Sequence, residues 1–169
     1  MNMLQERYAD NTPVRLFTAL NPDRRYIYGI FEAPSKINQR SVGFLPLHDE
    51  ISISLCHALQ NSLIGAFYTE ASGFPRGQSV LDRSKGNVEK LWMLNPRKLS
   101  KNQIADIMEA FSPLLTRKIL PIDEELEQPD RLSFEHTVLS CYWIDHYFDK
   151  IKSALLEMQR VRLSVKAIR

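Results

Sequence analysis

The sequence predicts an α+β protein: a small twisted mixed β-sheet packed on a helix, followed by a helical C-terminal subdomain. Three observations predict it. Short aromatic and β-branched runs between turn residues occupy the first third of the chain. An apolar stripe at helical spacing follows them. Beyond Pro96 every apolar pattern has the helical period. The change of character places a boundary near residue 98, with an α+β domain over 1–98 and a helical tail over 99–169.

Val14–Phe17 and Tyr26–Phe31 read as strands, with Asn21-Pro22-Asp23 as the turn between them. Ser41–Leu45 is a third strand, stopped by Pro46. Asp49 or Ser52 caps one helix that carries Leu55, Leu59, Leu63, Ala66 and Phe67 on one face and fails before Gly73. Residues 73–86 read as a basic glycine loop, and Val88–Leu94 as a closing strand. Ser100 with Gln103 forms a capping box ahead of Ile104, Ile107, Met108 and Phe111. Ser112-Pro113 opens a short helix, and Ser133 caps another through Tyr142. The last helix carries Ile144, Tyr147, Phe148, Ile151, Leu155, Met158, Val161 and Val165 as a packing stripe.

Of 169 residues, 44% are hydrophobic, enough to bury a core. Lysine and arginine number 22 against 20 acids, so net charge carries no argument for nucleic-acid binding; local clustering must. Cations gather between Lys150 and Arg169, and acids at Asp123, Glu124, Glu125, Glu127 and Asp130; both runs read as solvated faces. Cys56 and Cys141 make no disulfide scaffold, which points to a reducing compartment. No apolar run approaches the ~20 residues of a bilayer span, and residues 1–7 lack a secretory apolar core. The expectation is a soluble, cytoplasmic protein with no membrane partner.

Four segments share an order found elsewhere: Asn38-Gln39-Arg40-Ser41-Val42-Gly43, the leucine-rich helix with Gln60-Asn61-Ser62, Gly73-Phe74-Pro75-Arg76-Gly77, and Leu91-Trp92-Met93-Leu94-Asn95-Pro96. Together they resemble the target-recognition domain of adenine-N6 DNA methyltransferases, a layout similar to that of type I restriction–modification specificity subunits. Residues 95–117, Pro129-Asp130-Arg131-Leu132 and the C-terminal helix resemble the helical tail after that domain. The likeness spans about residues 14–166 and lies in order and texture.

The resemblance implies sequence-specific recognition of double-stranded DNA. It also implies a methyltransferase catalytic domain or subunit as partner, because that family's catalytic tetrapeptide, Asn/Asp-Pro-Pro-aromatic, is missing. No Pro-Pro pair occurs, and Asn95-Pro96 is followed by Arg97. Gly73–Gly77 follows a helix where a cofactor loop would follow a strand. The expectation is therefore no catalytic residue and no cofactor on this chain, with S-adenosylmethionine on the separate catalytic domain. The chain reads as the recognition part of a split, truncated or excised methyltransferase.

Base reading needs directional donors and acceptors, with cations on phosphates. Arg76 and Gln78 flank Gly77 and suit guanine and adenine respectively. Arg83 and Lys85 are the phosphate candidates. Gln39 and Arg40 begin a strand directed at the same surface, and Arg24 and Arg25 lie beside a turn.

Other chemistries fit poorly. His136, Cys141 and His146 are five apart, which scatters them around a helix and off any common zinc-binding face. No lysine has an acid two residues before it, as metal-dependent nucleases commonly require. The alternative is a helical protein-interaction module that docks a subunit through residues 100–115 and the last helix, without binding DNA itself.

Overall fold

The computed structural model describes residues 12–46, 48, 50–76 and 80–164. Alternation builds the first strand, β1 (Val14–Ala19), with Val14, Leu16 and Thr18 buried. β2 (Tyr28–Ser35) and β3 (Ser41–Phe44) flank it in the order β2-β1-β3. Both pairings are antiparallel, with Phe17 opposite Gly29 on one side and Gly43 on the other. The expected mixed sheet is thus wholly antiparallel among the described residues, within an α+β fold. β2 starts two residues later than predicted and runs on through Pro34, a residue an edge strand tolerates.

The single predicted helix is two: α1 (Ile53–Gln60) and α2 (Leu63–Ser72). Ser52 caps α1, accepting from the Leu55 N–H at 3.3 Å. Ser62, at the corner, spends its hydroxyl on Leu59 O at 2.7 Å and caps nothing. A carboxylate from the helical tail replaces it, because the Leu63 N–H donates to Glu135 Oε2 at 2.7 Å. The corner is so tight that a Cβ on Gly65 would lie 2.0 Å from Gln60 O. Apolar periodicity continues across this break, so spacing alone could not reveal it.

Asn61 fastens the corner to the sheet. Its amide accepts from Tyr28 N–H at 3.1 Å and donates to Tyr28 O at 2.8 Å, as a neighbouring strand would. His57 Nε2 lies 2.8 Å from the same carbonyl.

Residues 73–86 hold more order than a loop. β4 (Phe74–Arg76) and β5 (Val80–Asp82) pair as a hairpin, and α3 (Lys85–Val88) follows, capped by Ser84. The predicted strand 88–94 does not form: residues 89–95 carry no regular structure. Leu91-Trp92-Met93-Leu94 has no period of two, and no strand pairs with it.

The tail comprises α4 (Lys101–Phe111), α5 (Ile122–Glu125), α6 (Pro129–Cys141) and α7 (Phe148–Ser164). The Ser100–Gln103 capping box is present in both directions. A 3₁₀ turn, Ser112–Leu115, takes the place of the short helix at Ser112-Pro113. α6 begins at Pro129, four residues before the predicted cap. α7 begins at Phe148; Tyr147 and Val161 of the expected stripe are exposed, whereas Gln159 and Arg162 are buried. Val165 lies outside the described residues.

Residue 98 divides compositions but not cores. One cluster joins Tyr26, Leu63, Ala66 and Leu81 to Leu126, Leu139, Phe148 and Leu155. A second joins Leu55, Ala58 and Leu59 to Ile107, Phe111, Phe134 and Val138. Among the described residues no helix is long and apolar enough to cross a membrane.

Candidate nucleic-acid interface

Two connections converge on one open face. The turn from β2 to β3 is shaped by Asn38, whose Oδ1 accepts from Arg40 N–H at 2.9 Å. Arg40 O in turn accepts from Leu20 N–H at 2.9 Å, which ties the turn to the end of β1. Gln39 and Arg40 are exposed on it. On the facing side Ser84 Oγ accepts from Asn87 N–H at 3.1 Å and sets the start of α3, where Lys85 is half-buried. Gln39 and Lys85, with Asn38 and Ser41, line a cavity of about 670 Å³. Two residues far apart in sequence thus share one concavity, whose lining includes Val14, Leu20 and Val42.

Arg76 pairs through its backbone with Val80 in the hairpin, and Gln78 lies outside the described residues. The hairpin's root is close-packed: a Cβ on Gly73 would meet Leu81 Cδ1 at 2.3 Å.

Arg83 is a correction. Only 1% of it is exposed, so it is not available to a phosphate at the surface. Its guanidinium donates to Thr18 Oγ1 at 3.1 Å, Thr69 Oγ1 at 3.4 Å and the Ala19 carbonyl, bolting β1 to α2. Burial follows from the hairpin, which puts Leu81 into the core and turns Arg83 inward with it. Arg24 and Arg25 also serve the frame, through Asp123 Oδ2 at 2.6 Å and Ile119 O at 3.2 Å.

Neither charge run is only a solvated face. Arg117 forks to Glu125 (2.8 and 2.9 Å) and Asp130 (2.6 and 3.2 Å), while Arg131 Nε donates to Glu135 Oε1 at 2.6 Å. Burial opposes the charge of Glu125, yet Arg117, the Leu120 N–H and Arg131 outweigh it and hold the carboxyl below its usual range. Arg117 does the same for Asp130. Glu135 goes the other way: desolvation raises it despite Arg131 and the Leu63 N–H. From the basic run, Arg162 Nε is buried against Glu70 Oε1 at 2.8 Å, with Tyr26 hydrogen-bonded to the same carboxylate. The i,i+4 spacing of Arg131 and Glu135 was a legible signal; the long-range pairs had none.

A last feature escapes sequence reading. Trp143 N–H donates to Ser140 O and Ile144 N–H to Leu139 O, both at 3.0 Å. This is the Schellman pattern that ends many helices, whose left-handed position usually holds glycine. Here it holds tryptophan at φ 58°, 76% exposed.

No family model matches this chain, and no curated protein or solved structure matches it either.

Proposed function

We propose that the chain is the sequence-specific DNA-recognition module of an adenine-N6 DNA methyltransferase in a restriction–modification system. The chemistry belongs to a separate catalytic domain or subunit that binds S-adenosylmethionine. The observation that carries this reading is the meeting of Gln39 and Lys85 in one cavity beside exposed Arg40. A cation and an amide on a braced concave face are the parts that phosphate positioning and base-edge reading need. Arg76 and Gln78 are the residues proposed to read base edges.

Selection of duplexes from a randomised library, then anisotropy at low and moderate salt, tests it. Arg76→Ala, Gln78→Ala and Gln39→Ala each cost about 1–3 kcal/mol on the selected site and little elsewhere, whereas Lys85→Ala weakens every duplex and lowers the salt slope by about one. Uniform loss from all four changes would overturn the assignment.

The second reading, subunit docking without DNA binding, draws on Trp143. A bulky residue in the left-handed region costs roughly 1–2 kcal/mol, and here the side chain is held out in water. Exposed aromatics of this kind anchor protein interfaces. Absence of duplex binding even at low salt would select this reading.

A further inference from the structure

Beneath the segment 89–97 lies a cavity of about 430 Å³, which meets the face assigned to DNA at Val42. Its walls are chiefly apolar: Leu16, Val42 and Phe44 of the sheet, Ile53 and Cys56 of α1, and Met93 and Leu94 of the covering segment. That size and character fit a small organic molecule, whose orientation one or two polar groups would set. Among the polar lining residues His48, Glu89, Asn95 and Arg97, the one acid is Glu89. Its Oε1 is closed to water and has no hydrogen-bond partner among the described residues. An acceptor left in that state costs folding free energy. Arg97, the cation at the rim, is taken by Glu50 at 2.8 Å. Glu89 therefore brings to a mainly apolar lining a carboxylate with one oxygen closed to water and unpartnered among the described residues.

We propose that this cavity binds a small apolar molecule bearing a single ammonium group, with the apolar body against Phe44 and Met93 and the ammonium on Glu89. The terminal torsion of a glutamate is broad, so the carboxylate turns an oxygen toward the guest at little cost. The guest supplies the donor that the protein withholds. A neutral guest of the same shape fills the walls and leaves the carboxylate unanswered; an anionic guest is repelled.

The two cysteines supply an internal control. Cys56 lines the cavity and Cys141 does not, and both are free thiols. Three probes of matched shape are used on the full chain: tryptamine, indole and indole-3-acetate. The rate at which a thiol reagent modifies each cysteine is followed by peptide mass spectrometry. Tryptamine is expected to slow modification of Cys56 at least tenfold at saturation, with indole weaker, indole-3-acetate inert and Cys141 unchanged throughout. Glu89→Gln should bring tryptamine to the level of indole. Equal protection by all three probes, parallel protection of Cys141, or no protection by tryptamine each overturns the proposal. Should Glu89→Gln fail to fold, competition with added NaCl on the unaltered chain decides. Tryptamine protection that is insensitive to salt while indole matches it sinks the ammonium–carboxylate pairing.

Discussion

Arg117 and Arg131, in the helical part, lie within hydrogen-bond reach of three carboxylates, whereas Arg40 on the β2–β3 turn is exposed with none among the described residues. The first pair holds helices in place; the Arg40 side chain stands at the surface. Charge inside a frame is tolerated only with partners, and removing one partner strands the other in a poor solvent. Charge on an open face binds little internally and can be changed without loss of fold. Arg83 and Lys85, two residues apart, differ in burial, the first enclosed and the second half-buried, so proximity in sequence says little about which role an arginine or lysine takes.

The largest effect should come from breaking the frame. Glu135→Ala removes both the partner of Arg131 and the cap on α2, and should cost about 3–5 kcal/mol by urea denaturation. A loss below ~1 kcal/mol would mean that the buried network contributes nothing. Gly65→Ala attacks the same corner by sterics, since its Cβ meets backbone and not a flexible side chain. It should cost about 2–3 kcal/mol, read from the same denaturation curves; a neutral result would place the α1–α2 corner wrongly.

Trp143→Gly should act in the opposite direction. Relief of the left-handed strain stabilises the chain by about 1 kcal/mol, visible as a higher thermal midpoint. Destabilisation would mean that the indole packs on its own protein and is no interface residue.

Protonation probes the frame where α1 meets the sheet. Burial lowers the pKa of His57 below its ordinary 6.5, against the opposing pull of the Tyr28 carbonyl. The folded state therefore favours the neutral ring. The stabilisation is complete above about pH 6.5 and is lost as pH falls through the folded value. NMR titration should find His57 changing below pH 6.5; a midpoint at or above that value contradicts its burial.

The smallest effect belongs to the face. Gln39→Ala and Arg40→Ala should each change stability by less than about 0.5 kcal/mol, whatever they do to a ligand. A larger loss on unfolding would merge the two regions and remove the distinction between frame and face.

Much of the fold was legible in the residues. The Ser100–Gln103 box acts through neighbours in the chain, so it could be read directly, as could the alternation of β1. The α1–α2 break could not, because Glu135, seventy-two residues from Leu63, supplies the cap that Ser62 withholds. The strand expected at 88–94 failed for want of a partner strand, which no local pattern discloses. Of the candidate site, the polar character of the 38–41 turn was legible. Its meeting with Lys85 depended on packing, as did the burial of Arg83.

The sequence by itself determined the α+β class, the switch to helix after Pro96 and the residues able to carry charge or hydrogen bonds, because period, capping and turn chemistry act over a few residues. Only the tertiary structure decided which charges went inside. Burial turns on whether a distant partner arrives to offset desolvation, and that is a property of the assembled fold.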